Sequence, residues 1–159
     1  MSSGRASLTA PGRELDMSAP QDYVVLLYGD EAVWESATPE ERQEEFGRHD
    51  EFSRRCAEGG HEIIGGAELR HSRTARSVRA ADDGSPVVTD GPYTELVEQL
   101  GGYYVVRTAD LDGLTRLVTI ILSTGTAEIR PLASPEIGAD ADATVEAAAG
   151  AGAGTGVPS

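Results

Sequence analysis

The sequence predicts an α+β domain in which two helices cover one face of an antiparallel sheet. Three observations lead there. Short β-branched and aromatic runs recur at 23–28, 63–64 and 103–106. Two stretches, 39–58 and 111–122, carry apolar residues at helical spacing behind capping residues. The two kinds of segment alternate along one chain of 159 residues, a length that suits one domain with tails.

Tyr23-Val24-Val25-Leu26-Leu27-Tyr28 is a continuous apolar run and reads as a strand buried on both faces, ended by Gly29-Asp30. Thr38-Pro39-Glu40-Glu41 then starts a helix. Thr38 caps it, Pro39 suits the first helical position, and Glu41 completes a capping box. The helix should run to about Glu58 and stop at Gly59-Gly60. Phe46, His49, Phe52, Ser53 and Cys56 fall on one of its faces.

His61 to Leu69 reads as a second strand, with Gly65-Gly66 predicting a bulge or a close backbone approach. Ala75–Ala80 and Pro86–Asp90 flank Asp82-Asp83-Gly84-Ser85 as a hairpin. Gly101 to Thr108 reads as another core strand. Asp110 caps a helix whose Leu111, Leu114, Leu117, Val118, Ile121 and Leu122 share a face. Gly125 stops it, and Ala127 to Leu132 is a final strand.

This order is a split βαβ, ferredoxin-like pattern with an inserted β-hairpin. With both helices on one face, the other face needs cover, and a second subunit packing sheet against sheet is the expected source. The domain should span 21–132. Residues 1–20 and the Ala/Gly-rich acidic tail 133–159 lack periodicity and enough large apolar side chains, so both are expected to be disordered.

Composition excludes several function classes. The formal net charge of −14 opposes nucleic-acid binding, which depends on neutralising phosphates. No apolar run approaches the roughly 18 residues of a membrane span, and 1–20 holds no signal-type stretch, so a cytoplasmic location is expected. The sequence has no lysine, hence no Schiff-base or phosphate-loop lysine. One cysteine and three histidines without HxxxH spacing give no metal motif, and glycine-rich segments lack the dinucleotide fingerprint. No metal or cofactor is therefore expected.

Four segments, 23–30 (YVVLLYGD), 90–95 (DGPYTE), 98–104 (EQLGGYY) and 128–131 (EIRP), together resemble the YCII-related family of the DGPF type, over about residues 23–132. The resemblance implies a dimeric α/β-barrel of ferredoxin-like subunits. It also implies a cleft between sheet and helices where a helix histidine and an aspartate act as acid and base. Relatives on this fold include isomerases and dehydrochlorinases, and some members accompany sigma factors. Two positions depart from the family pattern: Tyr93 stands where phenylalanine is common, and Val97 where lysine is common.

His49, on the inward stripe of the first helix, is the expected general acid–base, the alternative being a core histidine with a ring nitrogen bonded to backbone. Asp90 is expected to orient it or carry a proton, unless its role is confined to turn chemistry. Tyr28, Tyr93, Glu95, Gln99 and Tyr103 are candidate substrate contacts. Tyr103 and Tyr104 must point to opposite faces. Trp34, placed just before the first helix, reads as a lid aromatic or as a staple on that helix. Cys56, on a buried face, reads as an inert thiol. The expected function is a cofactor-independent acid–base enzyme of isomerase, lyase or dehydrochlorinase type acting on a small organic molecule. The alternative is a non-catalytic binding or regulatory module tied to a sigma factor or biosynthetic cluster.

Overall fold

The computed structural model describes residues 19–133, so the expectations for the two tails lie outside the described residues. Six strands form two antiparallel sheets: β1 (Gln21–Asp30), β2 (Glu62–Glu68), β3 (Arg76–Ala80), β4 (Pro86–Asp90), β5 (Glu98–Thr108) and β6 (Thr126–Pro131). Three helices accompany them: α1 (Glu31–Ser36), α2 (Pro39–Gly59) and α3 (Leu111–Val118). The larger sheet has the order β2-β5-β1-β6, and β3 pairs with β4 alone. The result is an α+β architecture with antiparallel sheets.

Helix α2 obeys its sequence signals. The Thr38 hydroxyl accepts from Glu41 N at 3.2 Å, and the Glu41 carboxylate accepts from Thr38 N at 2.7 Å. Both leave orphan amides of the first turn satisfied. At the other end Gly60 takes a left-handed conformation, φ 77°, and its amide donates to Cys56 O.

The core lies between the helices and one sheet face. Val25 and Val106 from the two central strands meet Phe52 and Cys56 of α2 and Leu114 and Val118 of α3, all buried. Alternation puts Val24, Leu26, Tyr103 and Val105 on the opposite face, where they are half-buried. So β1, expected to be buried on both faces, is fully buried only at some positions: Asp22, Tyr23 and Val25 are enclosed, whereas Val24 and Leu26 are partly accessible. Asp22 and Arg107 stand opposite each other in register and form a two-point ion pair at 2.7 and 3.0 Å.

Three differences from the sequence reading have local causes. A six-residue helix, α1, precedes α2, so Trp34 lies inside a helix rather than just before one; six residues are too few to show a period. Asp30 caps it by accepting from Ala32 N at 2.9 Å. Strand β5 begins at Glu98, three residues early, because Glu98 and Gln99 pair with Asp30 and Gly29. The second apolar helix is α-helical only to Val118 and finishes as a 3₁₀ turn, Thr119–Ile121.

The glycine pair in β2 behaves as expected. The register slips between Ile63 and Gly65, and a Cβ on Gly66 would lie 2.7 Å from Tyr103 O. No helix among the described residues is long and apolar enough to cross a membrane.

Candidate active site

His49 sits in the middle of α2, on the side turned toward the sheet. Its Nδ1 lies 2.7 Å from the Tyr104 hydroxyl, and the two rings stack at 5.9 Å with 28° between planes. Tyr104 is held in turn by Phe52, 5.1 Å away. Strand β5 supplies Tyr104 because Val25 and Val106, its register partner and its i+2 neighbour, point into the same core.

The chemistry of this pair has a direction. Burial, then coupling to the ionisable neighbours Cys56 and Asp50, raises the Tyr104 phenol above its ordinary value. A phenol so held keeps its proton. It donates to Nδ1 when the imidazole proton is on Nε2, and its oxygen accepts from Nδ1–H when Nε2 is free to take a proton. Nε2 faces the Glu45 carboxylate at 3.6 Å, too long for a hydrogen bond. The His49 side chain is 30% exposed, so solvent or a ligand reaches it. Glu45, His49 and Tyr104 thus form a line in which the histidine holds one proton and borders another.

Asp90 ends β4 on the two-stranded ribbon. Its carboxylate is 88% exposed and lies 3.5 Å from Arg76. The described hydrogen-bond and ion partners of His49 are Tyr104 and Glu45, and that of Asp90 is Arg76; the two residues are not joined by a hydrogen bond within the chain. The turn after Asp90 needs glycine: Gly91 has φ 102°, and its amide donates to Ala75 O at 2.7 Å.

The other candidates fall into two groups. Glu95 and Gln99 line an open cavity of about 500 Å³ together with Glu31, Glu35, His71 and Ser72. Gln99 also fastens the loop before it, donating to Thr94 O and Leu96 O at 3.1 and 3.0 Å. Tyr93 projects from that loop and is exposed. Tyr28 is half-buried near the end of β1, and Tyr103 pairs with Leu26 on the sheet face opposite Tyr104. Trp34 packs edge-on against Phe46 at 6.0 Å, with the Arg42 guanidinium 5.3 Å from its ring, so it staples α1 to α2. Cys56 is fully buried and burial pushes its thiol up to about 11, which fits an inert group.

Sequence reasoning missed Glu45 and the cluster at the cavity, and left open which of Tyr103 and Tyr104 faces the cleft. Glu45 was accessible, one helical turn before His49. Tyr104 needed the strand register. The Glu31 carboxylate takes the Ser72 amide and hydroxyl, both at 2.6 Å, and lies 3.3 Å from His71. That contact joins positions 41 residues apart and leaves no local trace.

An uncharacterized protein of Rhizobium meliloti (strain 1021) is 32% identical over 115 residues, covering 70% of this chain and 91% of the relative. The YCII-related domain matches residues 22–130, from the start of β1 almost to the end of β6. The chain belongs to the YCII-related family.

Proposed function

We propose that this YCII-related chain is a cofactor-independent acid–base enzyme of isomerase, lyase or dehydrochlorinase type, acting on a small organic molecule. His49, in the tautomer whose Nδ1–H donates to the Tyr104 oxygen, takes a substrate proton on Nε2 and returns it to the product carbon or the leaving group. Tyr104 fixes the ring through Nδ1, and Glu45 stabilises the imidazolium formed between the two transfers. The single observation that carries this reading is the 2.7 Å contact between His49 Nδ1 and the Tyr104 hydroxyl on a partly exposed histidine. Asp90 is the second carboxylate partner in the proposal, orienting His49 or carrying a proton. Its ion pair with Arg76 is exposed and hence weak, leaving the carboxylate free to turn toward a ligand. Tyr28, Trp34, Tyr93 and Tyr103 remain proposed contacts to the substrate.

The same reading takes the fold further. The order β2-β5-β1-β6, with a helix following β1 and another following β5, supports a ferredoxin-like subunit. The half-buried Val24, Leu26, Tyr103 and Val105 on the face away from α2 and α3 support a homodimer that packs sheet on sheet into an α/β-barrel. A cytoplasmic location, with neither nucleic acid nor membrane as partner, fits the acidic chain and its single cysteine.

One observation favours a second reading, a non-catalytic binding or regulatory module. The cavity of about 500 Å³ gathers Glu95 and Gln99 but not His49. Exchange of carbon-bound protons with deuterated solvent, followed by NMR over a panel of small carbonyl and ring compounds, separates the two. The enzyme reading predicts exchange that is lost in His49→Gln and slowed in Tyr104→Phe. Ligand binding without exchange, unchanged in His49→Gln, supports the module.

A further inference from the structure

His61 has no part in the chemistry proposed above, yet it is set like a binding residue. It follows the C-terminal cap of α2, and its ring is nearly enclosed, 4% exposed. Two glycines make room for it. A Cβ on Gly59 would come within 3.0 Å of the ring Cδ2, and one on Gly113 within 3.1 Å of Cε1. The ring is fixed by a 2.8 Å contact between Nδ1 and Thr108 Oγ1.

The surrounding hydrogen bonds decide where the proton lies. Thr108 Oγ1 already accepts from Asp110 N at 2.9 Å, and Thr108 is buried. If Nδ1 carried the proton, the threonine hydroxyl hydrogen would have no described acceptor. If the hydroxyl donates to Nδ1, both groups are satisfied, and the imidazole proton moves to Nε2. Nε2 has no hydrogen bond to any described residue. Among the described residues, Arg42 Nε is the one solvent-shielded side-chain nitrogen or oxygen without a partner. His61 Nε2 therefore keeps some solvent access despite the burial of its ring.

His61 borders a groove of about 550 Å³ between α2 and β2, lined also by Ser53, Ala57, Gly60, Glu62 and Ile63. Ser53 and Ala57 lie one and two turns along α2 from His49, on the same helical stripe. Ala57 and Ile63 give the groove an apolar wall. Glu62 and the carbonyl end of α2 give it a negative bias, which disfavours an anion.

We propose that this groove binds a small neutral carbonyl compound, with His61 Nε2–H donating to the carbonyl oxygen and the apolar body lying against Ala57 and Ile63. The proposal does not depend on the acid–base role of His49.

Cyclohexanone is a suitable probe, followed by long-range ¹H–¹⁵N NMR of the histidine rings and methyl spectra of the whole chain. In the free protein His61 should show the Nε2–H tautomer. Cyclohexanone should shift the His61 Nε2 and Ile63 methyl signals well before those of His49 or His71. Ala57→Trp, a change at an exposed position, should keep the His61 tautomer and abolish the response. An Nδ1–H tautomer would overturn the proposal. So would the absence of a shift up to the solubility limit of the probe, an equal response of all three histidines, or a response that survives in Ala57→Trp.

Discussion

Val25 and Val106 are wholly buried in the four-stranded sheet, whereas Val78 and Val88, directly paired in the β3–β4 ribbon, are 63% and 53% exposed. The residue type and the strand geometry are the same. What differs is the layer above. In the body, α2 and α3 close over one face and bring Phe52 and Leu114 onto the valines. The ribbon's cross-strand pair has no such cover, and a two-stranded ribbon alone is marginal in water. Burial rather than β-propensity therefore decides where stability resides, and His49 is anchored in the body, through Tyr104, while Asp90 rides on the ribbon.

The sharpest way to break this comparison is Phe52→Ala. It removes a fully buried ring that also holds Tyr104, and should cost about 3–5 kcal/mol by denaturant unfolding. A loss below about 1 kcal/mol would mean that the helix layer packs more loosely than described.

Thr38→Ala is a smaller test within the same layer and should cost about 1 kcal/mol through the lost cap. Its capping partner gives a pH signature. The Thr38 amide, then the Thr38 hydroxyl, holds the Glu41 carboxyl below its ordinary value. A carboxyl lowered in the folded state stabilises above its unfolded pKa, and that contribution is lost as pH falls through the folded value. Glu41→Gln should therefore flatten part of the acid-side loss of melting temperature, and leave the slope above neutrality unchanged.

Val78→Thr should change stability by less than about 0.5 kcal/mol in the isolated chain, since the site is mostly exposed. A larger loss that grows with protein concentration would show that the ribbon is covered in an assembly.

The legible parts of the fold were those written in local chemistry. Thr38, Glu41 and Gly60 bounded α2, Gly65-Gly66 marked the β2 bulge, and Asp82-Asp83-Gly84-Ser85 marked the ribbon turn. Helix α1 was not legible because a single short turn and a half has no period. The start of β5 was not legible because pairing with Asp30 and Gly29 sets it. The site divides the same way. His49 could be found from its place on an apolar helical stripe, and Glu45 from the turn before it. Tyr104 required the register of β5 against β1, and the join of Glu31 to Ser72 required the folded chain.

The most direct test of the central claim, that His49 held by Tyr104 is the working group, is a ligand screen by thermal shift. It should be run in parallel on the wild type, His49→Gln and Tyr104→Phe, with small organic acids and ring compounds. A ligand that binds the native state raises its melting temperature by mass action. The account predicts that compounds stabilising the wild type lose their effect in His49→Gln and are weakened in Tyr104→Phe, while both variants remain folded. Equal stabilisation of all three proteins would contradict it and leave His49 and Tyr104 as packing partners.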